Sequence, residues 1–140
     1  GGDQNVILRG YGNSVFQNDL YVYGNAYKTG GGPWGSISDE RLKNILGNYE
    51  YGLKDIVKLQ PKYYTYKNTE DMKLPTQNEY VGFSAQEVQK VIPAAVSANK
   101  DGYLMVDSDL IIWAMLNAIK EQQAQIDILK TELAELKNKQ

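Results

Sequence analysis

Ser38 and Lys43 stand five positions apart in Ser38-Asp39-Glu40-Arg41-Leu42-Lys43-Asn44-Ile45, and they are the residues of this 140-residue chain whose types and spacing best suit chemistry. A serine hydroxyl becomes a nucleophile when a neighbouring base removes its proton, and a neutral lysine amine can be that base. The reaction open to such a pair is cleavage of a peptide bond, including a bond of its own chain. Lysine is ordinarily protonated, with a pKa of about 10.4, so it acts as a base only where burial or nearby positive charge lowers that value. Arg41 is a candidate for the positive charge, while Asp39 and Glu40 push the other way. The same residues also read as a helix start, with the Ser38 hydroxyl capping free N–H groups and two acids at the positive end of the dipole.

Geometry separates these readings. In one continuous helix, residues five apart are turned by about 140° around the axis, which sends Ser38 and Lys43 to different faces. A working pair therefore requires Ser38 to lie outside the helix and fold back over it, or to meet a lysine of a neighbouring subunit.

The rest of the composition narrows the chemistry further. With no cysteine and no histidine, disulfides, thiolate zinc sites, cysteine nucleophiles and a Ser-His-Asp triad are all excluded. Catalysis must use Ser, Lys, Tyr, Asp or Glu, and neither a cofactor nor a metal is expected. The net charge of -2 and the lack of a basic cluster argue against nucleic acid as a partner. No apolar run approaches the roughly 20 residues of a membrane span, and the first residues lack the pattern of a signal peptide. The chain reads as soluble and intracellular when made.

Three regions must position the pair. Residues 3–28 mix short apolar alternations with Gly-Asn turn signals, and Tyr11-Gly12-Asn13 returns as Tyr23-Gly24-Asn25, so short strands between turns are expected there. A few such strands are marginal alone; three copies wound about one axis would give each strand neighbours. Thr29 to Ser36, with three consecutive glycines and Pro33, is a break and an accessible joint. From Asp39 to about Leu59 the spacing of Leu42, Ile45, Leu46, Tyr49, Leu53, Ile56 and Val57 predicts a helical face interrupted near Gly47 and Gly52. Lys62 to Lys67 alternates like a strand, Ser84 to Val91 predicts a helix stopped by Pro93, and Tyr103 to Val106 predicts a further strand.

The last region predicts a long helix from Leu110. Ile112, Met115, Ile119, Gln122, Ile126, Leu129, Leu133 and Leu136 occupy successive a and d positions of nearly four heptads. One helix with that seam needs partners. Ile at a with Leu at d is compatible with dimers and trimers alike, and Gln122 would place one polar layer in the bundle.

Three further blocks accompany the Ser38 stretch: Val81-Gly82-Phe83-Ser84-Ala85-Gln86-Glu87-Val88-Gln89-Lys90-Val91-Ile92-Pro93, Asp101-Gly102-Tyr103-Leu104-Met105-Val106-Asp107, and the helix from Leu110 to Lys120. In this order, across Ser38 to about Lys120, they resemble the peptidase S74 family, the intramolecular chaperone domains at the C-termini of bacteriophage tail spikes, tail fibres and endosialidases.

That resemblance implies a fold and a function. The fold is α+β: residues 1–37 the end of a β-rich, triple-stranded stalk plus linker, 38–109 a small mixed chaperone and auto-processing domain, and 110–140 a C-terminal helix forming a trimeric coiled coil. The function is an intramolecular chaperone that holds an upstream stalk of the same polypeptide in register as a homotrimer, then releases itself. Ser38 would be the nucleophile and Lys43 the general base. Attack by Ser38 on the carbonyl before it passes through a five-membered ring and favours the Ile37-Ser38 bond, whereas the family boundary favours Ser38-Asp39 as the scissile bond, with an intersubunit serine or a water completing the attack. By the same resemblance the chain is a virion tail component, processed in the bacterial host cytoplasm, whose released domain is absent from the mature virion. The alternative from another class is a permanent trimeric fibre tip, its 11 tyrosines forming a receptor or glycan surface, with no cleavage.

Overall fold

The computed structural model describes residues 35–69 and 73–139. The strands expected in residues 3–28, and the glycine-rich joint as far as Trp34, lie outside the described residues. The elements are a four-residue helix α1 (Leu53–Ile56), an antiparallel pair β1 (Lys62–Thr65) and β2 (Glu79–Gly82), helix α2 (Ala85–Val91), a second antiparallel pair β3 (Val96–Ala98) and β4 (Leu104–Val106), and the 31-residue helix α3 (Ser108–Asn138). Single turns of 3-10 helix at Glu40–Leu42 and Pro93–Ala95 complete it. This is a small α+β domain with a long C-terminal helix.

Each element has a local cause. α2 begins after Ser84 in extended conformation and ends at Ile92, because Pro93 cannot donate the N–H that another turn requires. Pro93 instead opens the 3-10 turn that delivers Ala95 to the core. In the first hairpin Tyr64 faces Tyr80, and their rings stack with centroids 5.6 Å apart, so the cross-strand aromatic pair fixes the register. In the second hairpin the Asn99 side chain accepts the backbone N–H groups of Asp101 and Tyr103, and Gly102 takes the positive φ of 83° that closes the turn. Asp107 caps α3 by accepting the Asp109 N–H at 2.9 Å.

The core is the meeting of α2 with the start of α3. Val88 and Ile92 are fully buried against Ala95, Ile111 and Ala114, with Tyr49, Tyr51, Ile56, Leu59, Phe83, Val91, Val96, Val106 and Leu110 packed around them. Alanine at 114 and 118 lets other elements approach α3 closely. Beyond Gln122 the helix leaves the domain, and every described residue of it is exposed.

The helix expected over Asp39 to Leu59 is present only in part. The chain makes one 3-10 turn, runs without regular structure from Lys43 to Gly52, and then forms α1 alone. Gly47, at a φ of 154°, and Gly52, with φ -154° and ψ -145°, both break the helical path. Leu42, Ile45 and Leu46, which supplied the apparent helical face, are exposed, Leu46 at 97%. Among the described residues, no helix is long and apolar enough to cross a membrane.

Candidate functional site

The Ser38 stretch is built as a single tight turn with extended flanks. Asp39 (φ -66°, ψ 128°) precedes the Glu40–Leu42 turn and Lys43 (φ -123°, ψ 138°) follows it, with Leu42 N–H donating to the Asp39 carbonyl and Lys43 N–H to the Glu40 carbonyl, both at 3.0 Å. Ser38 and Lys43 thus lie on either side of a turn instead of on different faces of a helix. The Lys43 ammonium donates to the Ser38 hydroxyl with Nζ 2.5 Å from Oγ. With the amine neutral, the same line would carry the hydroxyl proton to nitrogen, the transfer a Ser-Lys pair requires.

The capping role lies elsewhere than expected on the helix-start reading. The Asp39 carboxylate, not the Ser38 hydroxyl, accepts the Arg41 backbone N–H at 2.9 Å. It also accepts the Arg41 guanidinium in a fork, Nε at 3.0 Å and Nη2 at 2.6 Å. This hydrogen bonding, first from the Arg41 side chain and then from its backbone, holds the Asp39 carboxyl below the usual carboxylate range. It holds the Arg41 guanidinium correspondingly above its ordinary value. Arg41, the charge that could have repelled Lys43, is paired with Asp39, and Ser38 is left with its hydroxyl committed to Lys43.

Solvent surrounds this arrangement. Ser38 and Lys43 are exposed, and so are their apolar neighbours Ile37 (84%), Leu42 and Ile45. The stretch is held to the domain further along. Asn117 of α3 donates through Nδ2 to the carbonyls of Tyr49 and Tyr51 at 2.7 and 2.9 Å, and the Tyr49 hydroxyl donates to the Leu110 carbonyl at 3.1 Å. Glu121 accepts the Leu53 N–H at 3.0 Å, and Asp55, 6% exposed, accepts the Gly52 N–H at 3.2 Å. Sequence reasoning did not single out Asn117 or Glu121, and it read Gly52 only as a break in the helical face. The available signal was an asparagine within the apolar run Leu110 to Ile119.

Two open grooves flank the core. One, of about 690 Å³, is lined by Asn48, Tyr49, Glu50, Trp113, Leu116 and Lys120 among others. The second, about 600 Å³, is lined by Tyr64, Tyr66, Phe83, Tyr103 and Met105 and carries no charged side chain.

The site is thus a hydroxyl in contact with an amine at the start of a mixed domain that ends in a long helix with an exposed apolar row. Residues 38–97 match the family model Peptidase S74, chaperone of endosialidase. The match opens on Ser38 itself and ends before the Asp101 to Asp107 block and α3. No curated protein sequence matches the chain.

Proposed function

We propose that this chain is a self-releasing intramolecular chaperone: its C-terminal helix gathers three copies, the domain registers the polypeptide upstream of it, and Ser38 then cuts the chain with Lys43 as general base. The observation that carries the reading is the 2.5 Å approach of Lys43 Nζ to Ser38 Oγ, at the first residue of the family match. Supporting it, Ile112, Met115, Ile119, Ile126, Leu129, Leu133 and Leu136 are all exposed along one row of α3, the surface a second and third helix would cover.

The chemistry proceeds in two steps. Lys43 takes the Ser38 hydroxyl proton as Oγ attacks the scissile carbonyl, and the proton passes to the departing amide nitrogen as the C–N bond breaks. Water then hydrolyses the ester. The bond is assigned to Ser38-Asp39; because attack on its own carbonyl needs a strained four-membered ring, the attacking hydroxyl comes from a neighbouring copy, or else a water attacks in its place and cuts the bond in one hydrolytic step without an ester. Packing the exposed Ile37, Leu42, Ile45 and Leu46 against another copy would enclose the Ser38–Lys43 contact.

The benefit of such a device is kinetic. Interchain strands pair slowly and slip easily, and joining three chains at one end raises their effective concentration and fixes their stagger. Cutting the platform away afterwards removes its contribution to disassembly. By this reading the protein served is a phage tail spike or fibre, processed in the host cytoplasm, and the domains divide as 1–37, 38–109 and 110–140.

The test is to express residues 1–38 alone and as part of the full chain. The account expects a detergent-resistant trimer of the upstream segment only when it has been made attached to residues 39–140. Equal trimer yield from the segment made alone would replace the chaperone with a permanent structural tip.

A further inference from the structure

The chain leaving Lys43 crosses five residues, Asn44 to Asn48, that make no backbone hydrogen bond or side-chain contact with the domain core among the described interactions, and reaches its first anchorage at Tyr49. That anchorage is made by α3. Asn117 and Glu121, four residues apart and so on one face of the helix, grip backbone 66 to 68 residues away: the Tyr49 and Tyr51 carbonyls by Asn117, the Leu53 N–H by Glu121. Gly52 is shaped to this grip. A Cβ built there would overlap the Glu121 carboxylate, so any other residue at 52 would force that carboxylate to shift from its present position beside the Leu53 N–H.

The same stretch of α3 carries the seam. Ile111, Ala114 and Ala118 face the core, Asn117 and Glu121 hold the incoming chain, and Ile112, Met115 and Ile119 form the exposed row. One rigid helix therefore touches the core, the segment following the Ser-Lys pair and the surface assigned to other copies.

We infer that Asn117 and Glu121 are positioning residues: they clamp the segment behind Ser38 and Lys43 to the seam-bearing helix, so that the axial stagger of α3 in the assembly sets the stagger of the three Ser-Lys pairs and of the chain above them. The inference rests on the reading that α3 associates with other copies. With the clamp closed, the backbone at Tyr49, Tyr51 and Leu53 is fixed to α3; with it open, the segment is held only by the Tyr49 and Tyr51 side chains against the core and the Tyr49 hydroxyl on the Leu110 carbonyl. Positional spread grows as a tether loosens, so the spread at Asn44 should widen.

The chain has no cysteine, so single spin labels report cleanly. One set of full-length proteins carries Asn44→Cys, near the pair, and another carries Gln125→Cys, on the exposed part of α3. Interchain distances are then measured for the wild type, for Asn117→Asp combined with Glu121→Leu, and for Gly52→Ala, which leaves α3 untouched. Expected is a wider distribution at residue 44 in the double variant, a smaller widening in Gly52→Ala, where Asn117 still holds Tyr49 and Tyr51, an unchanged distribution at 125, and recovery in Glu121→Gln, whose amide oxygen still accepts the Leu53 N–H. An unchanged distribution at 44 with a sharp one at 125 overturns the clamp alone. Widening at both positions also overturns it, because the residues would then merely support the fold. No interchain distance at 125 in the wild type overturns the assembly reading and this inference with it.

Discussion

Residues 37–48 and the core formed by α2 and the start of α3 are built on opposite principles. In the core, Val88, Ile92 and Ala114 are fully enclosed, and the polar groups nearby are paired, down to the Gly52 N–H on the buried Asp55 carboxylate. In the upstream stretch, apolar side chains face solvent and order comes from one 3-10 turn, one Asp39–Arg41 fork and the Ser38–Lys43 contact. The difference separates two jobs. The core stores the folding free energy, while the stretch holding the candidate chemistry adds little to it and can be altered, or cut, without dismantling the domain.

Substitutions should reveal that division by the size of their effects. Ile92→Ala removes a fully buried side chain between α2 and α3 and should cost about 2–5 kcal/mol in denaturant unfolding. A loss no larger than that from Leu46→Ala, at a fully solvated site, would erase the distinction between the regions.

Next in size is the seam. Ile126→Asp with Leu129→Asp places carboxylates where other helices would pack, and sedimentation should show monomers whose domain retains its fold, because neither residue touches the core. Persisting trimers would mean that α3 associates through another face.

A smaller effect belongs to the tyrosine cluster. Tyr64 is pushed up to about 12 from its ordinary 10.0, chiefly by its hydrogen bond with Tyr66 and then by burial. The folded state thus favours the neutral phenol. The stability linked to Tyr64 is fully present below about pH 10 and is lost as the pH rises towards about 12, where the folded protein ionises too. Tyr64→Phe should flatten that alkaline decline and remove one late-titrating phenol from an ultraviolet titration; an unchanged profile would reject the assignment.

Most of the α+β outline was legible because it rests on local pattern. Alternation marked Lys62–Thr65 and Leu104–Val106, Pro93 marked the end of α2, and the heptad row marked α3. β2 and β3 were not legible, being four and three residues long and defined by the strands they pair with. The helix read over Asp39 to Leu59 failed for a more instructive reason. Leu42, Ile45 and Leu46 have helical spacing, but no core lies beneath them, and Gly47 turns the backbone away. At the site, the family motif pointed to Ser38 and Lys43, and the helix argument required Ser38 either to stand outside the helix or to meet a lysine of a neighbouring subunit; in the structure Ser38 precedes the 3-10 turn. Asn117 and Glu121 stayed hidden, since their partners are backbone groups more than 60 residues away.

The chemistry of the Ser38–Lys43 contact is tested most directly by the intact mass of the purified full chain. The account predicts two fragments from the wild type, meeting at Ser38-Asp39, and one uncut mass from Ser38→Ala, from Lys43→Ala and from Lys43→Arg, since a guanidinium is never deprotonated in proteins. All three variants should keep the wild-type fold and oligomeric state. Cutting at the same bond in Ser38→Ala, or a wild-type chain that stays whole after assembly, would contradict it.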